Sequence, residues 1–85
     1  MDGLWMKSLR TGVHLLEKEV AKELGVSSET VSRWERGTHN ISKMAEYSFM
    51  ILINDAARVQ KIIGERRSRR AAARGARFIA AGVSQ

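Results

Sequence analysis

The sequence predicts an all-α protein: a small four- or five-helix bundle in which two short helices cross at a tight turn, with a long C-terminal helix and a basic tail. Three observations carry this. The 85 residues contain no proline, so no helix has to lose a backbone N–H to one. Apolar residues recur at the three- and four-residue spacing of a helix face, as in Val20 and Leu24 and again in Val31 and Trp34. Gly25 and Gly37 stand where those faces stop, and glycine adopts the left-handed backbone that ends a helix at little cost.

Each element follows in order. Leu4, Trp5 and Leu9 give a first helix near 4–10 an apolar side, and Trp5 is expected in the core because aromatic residues dominate small cores. A second helix is expected near 14–24. Within Glu17–Arg36, EKEVAKELGVSSETVSRWER, Ala21 is small where the next helix must cross, and Gly25 makes the turn. Val20, Leu24, Val26, Val31 and Trp34 close the seam of this helix-turn-helix. Ser27 is the expected N-cap of the third helix, 28–36. Gly37 ends that helix, Thr38–Ile41 form a loop, and Ser42 caps the next. Asn54 and Asp55 offer a break, but Ala56, Ala57, Val59 and Ile63 continue the period, so 42–63 is predicted as one long or slightly kinked helix. A further helix is predicted inside 65–80, favoured by Ala71–Ala73 and opposed by Gly75.

The stretch ELGVSSETVSRWERG, with its Ser-x-Trp-Glu-x-Gly ending, resembles the helix-turn-helix regulators of the phage-repressor and Xre type, and the likeness runs from about Lys7 to Ile53. The resemblance implies DNA binding and a partly buried ion pair between Arg10 and Glu35. The run Ile41–Ile53 looks most like the antitoxin-type members. This chain departs from the pattern at Leu16 and Glu17, where the family usually has Ser or Thr and then Gln. A cap and a phosphate-contacting amide are therefore missing. Either the second helix starts earlier, capped by Thr11, or this end lies farther from the DNA backbone.

Composition narrows the function. A chain this short buries only about 60 to 65% of its unfolded surface, so one core is expected and a second subunit would help it. Residues 1–64 read as the helix-turn-helix domain and 65–85 as an Arg-rich tail. The net charge of +6 divides unevenly: residues 1–64 carry +1 and residues 65–85 carry +5. There is no cysteine, no leader-like segment, and no apolar run longer than Phe49–Ile53, which points to a soluble cytoplasmic chain with no membrane association. His14 and His39 sit apart from any ligand cluster, so no metal or other cofactor is expected. Ser32, Glu35 and His39 suggest a triad, but the ion-pair role of Glu35 competes, and no enzyme is expected.

Ser28, Glu29, Ser32 and Arg33 share the helix face opposite Val31 and Trp34 and are the candidates for base contacts. Arg33 can give two hydrogen bonds to guanine, and Glu29 either accepts from cytosine or complements the helix dipole. Thr30, Arg36, His39 and Lys43 are the phosphate candidates. These residues predict a transcription regulator on double-stranded DNA, a homodimer joined through 44–63, with the tail adding affinity and the helix-turn-helix adding choice. The alternative is an antitoxin-like module that binds a toxin. The tail could equally be a solvated arm or a helix docked on a partner, and the apolar run Phe78–Ala81 suggests no function.

Overall fold

The computed structural model describes the backbone of residues 1–83 and the side chains of residues 1–71. Five helices follow one another: α1 (Gly3–Gly12), α2 (Glu17–Leu24), α3 (Ser28–Arg36), α4 (Lys43–Asn54) and α5 (Ala56–Val83). The caps explain most of the boundaries. Hydroxyls of Ser27 and Ser42 each accept from the backbone N–H three residues on, at 3.2 Å. Gly25 and Gly37 close α2 and α3 with φ of 72° and 78°.

The second helix starts at Glu17, three residues later than the periodicity predicts, and without a hydroxyl cap. His14 takes a positive φ of 65°, which stops α1 and turns the chain so that Leu15 is buried. The Glu19 carboxylate then accepts from the Leu16 N–H at 2.8 Å, the half of a capping box that survives without a serine at the helix start. The Thr11 hydroxyl donates to the Lys7 carbonyl and caps nothing.

Trp5 is not in the core. It is 61% exposed, and Met6 takes the buried place. The rotation of α1 is set by Arg10, which is buried and lies four residues from Met6, so their shared face points inward and leaves Leu4 and Trp5 outside.

The long helix predicted over 42–63 is two helices. The Asn54 side chain donates to the Met50 carbonyl at 2.8 Å, and the Asp55 carboxylate accepts from the Arg58 N–H at 3.0 Å. These local bonds end one helix and cap the next, and they win over an apolar period that runs through both. Conversely, no helix end falls after Ile63: α5 passes through Gly64 unbroken. A single mid-helix glycine costs only about 1 kcal/mol, too little to interrupt a helix anchored on both sides.

The core is Met6, Leu15, Val20, Val31, Trp34, Phe49, Leu52, Val59 and Ile62, with Ala21 buried in the seam between α2 and α3. Gly3 brings α1 against the end of α3. A Cβ there would overlap the Trp34 carbonyl oxygen and come within 2.7 Å of that of Glu35. The positive end of α1 thus meets the negative end of α3 at a distance only glycine permits.

Two bidentate ion pairs tie α5 across α2. Arg58 grips Glu23 through two bonds of 2.6 Å, and Arg66 grips Glu19 at 2.7 and 2.9 Å while also donating to the His14 carbonyl. Arg58 holds the Glu23 carboxyl below its ordinary range against the opposing effect of burial. At Glu19 burial pushes upward, but the bonds from Arg66 and Leu16 outweigh it and the net shift is downward.

Candidate nucleic-acid interface

The geometry of the candidate interface begins with what holds α3 in place. Arg10 Nε and Nη2 donate to the two Glu35 oxygens at 2.6 and 2.9 Å, and its Nη1 donates to the Leu15 carbonyl at 2.9 Å. One buried guanidinium therefore joins α1, the turn before α2, and α3. The Glu35 bonds raise the Arg10 pKa still further, against the opposing effect of burial. Arg10 engages both Glu35 oxygens, and among the described residues no hydrogen bond joins Ser32, Glu35 and His39.

With α3 anchored on Val31, Trp34 and Glu35, its opposite face is left in solvent. Ser28, Glu29 and Arg33 are exposed and Ser32 is half-buried. Thr30 is drawn back to the start of the helix, its hydroxyl 2.9 Å from that of Ser27. Arg36 and His39 are exposed just beyond, at the end of α3 and in the following loop. Lys43 opens α4 and is exposed, bordering a groove with Tyr47 and Ile51. Lys7, Glu17, Ser32 and Arg36 border a shallow cleft where α1, α2 and α3 meet, and two cations there offset the acid at Glu17.

Comparison with known families matches residues 6–44 to the helix-turn-helix family. That match supports the likeness to the phage-repressor and Xre type of helix-turn-helix regulator. The match begins at Met6, takes in α2 and α3 whole, and ends as α4 begins. The helix-turn-helix therefore contains every candidate base and phosphate contact, whereas most of α4 and all of α5 lie outside the match. It is a DNA-binding fold of transcription regulators. Neither a curated protein nor a solved structure matches the chain. Among the described residues no helix is long and apolar enough to cross a membrane.

Sequence reasoning passed over Lys7 and the two ion pairs on α2. Glu19 and Glu23 lie four residues apart on α2, and Arg58 and Arg66 lie eight apart on α5, so each pair shares a helix face. That spacing was a readable signal, but which acid faced which arginine depended on where α5 began.

Proposed function

We propose that the chain is a sequence-specific transcription regulator that places α3 in the major groove of an inverted-repeat operator and binds it as a homodimer. The observation that carries this reading is the solvent-exposed face of Ser28, Glu29 and Arg33 on the anchored second helix of the motif, with Arg36 and His39 beside it. On this reading Ser28, Glu29, Ser32 and Arg33 form the side of α3 turned to the base edges, and Thr30, Arg36, His39 and Lys43 lie toward phosphates.

Selection of bound sequences from a random duplex library supplies the operator and tests the reading at once. Arg33→Ala is expected to relax specificity at one base pair per half-site and to cost roughly 1 to 3 kcal/mol on the preferred sequence. Lys43→Ala should weaken all sequences alike. Should Arg33→Ala reduce affinity equally for operator and random DNA, Arg33 does not read a base.

The dimer reading rests on α4. Of the five consecutive apolar residues, Phe49 and Leu52 are buried and Met50 and Ile53 partly so, which leaves Ile51 60% exposed. Met44 and Tyr47, at 81% and 73%, continue the same stripe. A contiguous apolar stripe of this kind is a surface that a partner covers, and a twofold pair joined there is expected to match operator half-sites about 34 Å apart. Ile51→Asp is expected to convert a micromolar dimer to monomer in analytical ultracentrifugation, with loss of the cooperative gain from a second half-site. A wild-type chain that sediments as a 9.5 kDa monomer and gains nothing from a second half-site would rule the dimer out. An antitoxin-like role is the second reading, favoured by exposed Trp5, which shares a groove with Met50 and widens the apolar face beyond one helix.

A further inference from the structure

The exposed face of α3 carries an acid that two arginines share. Glu29, Arg33 and Arg36 succeed one another at spacings of four and three and so lie along one side of the helix. Glu29 Oε1 is 3.3 Å from Arg33 Nε and 3.3 Å from Arg36 Nη2. All three side chains are about half exposed or more, so the interior of the fold does not require the cluster. A carboxylate on a face turned toward DNA also repels phosphate, a cost that calls for a compensating role.

From this geometry we infer that Glu29 is a positioning residue that orients Arg33 toward guanine and reads no base itself. The inference rests on the proposed reading of α3 as the base-reading helix. An arginine can meet guanine O6 and N7 through its Nε edge or through its two Nη atoms. The Glu29 carboxylate lies on the Nε side of Arg33 at 3.3 Å, a charge contact without a hydrogen bond, so the Nη pair is the edge left clear of the carboxylate. The same carboxylate opposes the swing of Arg33 to the nearest phosphate, where its fork would carry no sequence information. The Glu29–Arg33 attraction is weak in water, and it strengthens in a groove from which water has been displaced.

The test uses the full-length chain on the selected operator and on the same operator carrying deazaguanine, which lacks N7, at the base that Arg33 contacts. Wild type is expected to prefer guanine by about tenfold. Glu29→Ala should reduce that preference to about twofold while binding random duplex more tightly, because a negative charge has gone. Glu29→Gln keeps an oxygen at the same place and should recover part of the preference. Added to Arg33→Ala, Glu29→Ala should change guanine preference no further. If Glu29→Ala tightens binding to both duplexes equally, the residue acts through charge alone and the inference fails. It fails also if Glu29→Ala, on the Arg33→Ala background, abolishes preference for a neighbouring cytosine. Should Arg33→Ala alter discrimination nowhere, the underlying reading of α3 falls. When Arg33→Ala relaxes the guanine and Glu29→Ala does not, only the inference falls.

Discussion

Glu35→Ala is expected to lower stability by about 3 to 5 kcal/mol, because it leaves the Arg10 guanidinium buried with only the Leu15 carbonyl as partner. For a chain of this size that corresponds to a fall in melting temperature on the order of 15 °C or more. Arg10→Ala should cost a similar amount, since it strands the Glu35 carboxylate and the Leu15 carbonyl together. The penalty belongs to the unpaired charge and not to the pair, so replacing both residues by apolar ones of similar volume, Arg10→Met with Glu35→Leu, should restore much of the loss. Thermal unfolding followed by circular dichroism distinguishes these outcomes. Melting temperatures that match across wild type and both single variants would show that the pair holds nothing together. Because Arg10 fixes the phase of α1 and touches the chain just before α2, the single variants should also weaken operator binding before they unfold the protein.

Truncation after Arg66 is expected to reduce DNA affinity strongly while leaving the preferred site unchanged. It removes Arg67, Arg69, Arg70, Arg74 and Arg77 but keeps Arg66, which is committed to Glu19 and the His14 carbonyl and belongs to the fold. The remaining domain carries little surplus positive charge, so its attraction to phosphate is weak without the tail. Every phosphate that is no longer neutralised takes about 0.9 from the slope of log affinity against log salt, so freeing about three phosphates would remove nearly three units. Titrations at several salt concentrations, with operator and random duplex side by side, measure both effects. An unchanged slope and affinity would mean that the tail serves something other than DNA. Cutting after Gly64 instead confounds the experiment, because it also removes the Arg66 anchor of α5.

The caps of α3 and α4, the glycine turns and the apolar seam were legible in the residues themselves, because each depends on groups within a few positions of one another. Ser27, Gly25, Val31 and Trp34 act over one or two turns of helix, and a linear reading holds that information. The distribution of charge between domain and tail is likewise a property of composition along the chain. What the tertiary structure decided was which of two locally reasonable outcomes prevailed. Trp5 and Met6 are both apolar, and the buried Arg10 selects Met6 for the interior. Apolar periodicity ran through Asn54 and Asp55, where two local side-chain hydrogen bonds divide the segment, but that Arg58 meets Glu23 and Arg66 meets Glu19 depends on α5 packing across α2. Glu29, Arg33 and Arg36 share one side of α3 by spacing alone, so their cluster was as legible in the residues as the caps were. Sequence determines the local preferences, whereas a partner tens of residues away determines which of them is satisfied, because burial and ion pairing depend on elements that meet only after the chain has folded.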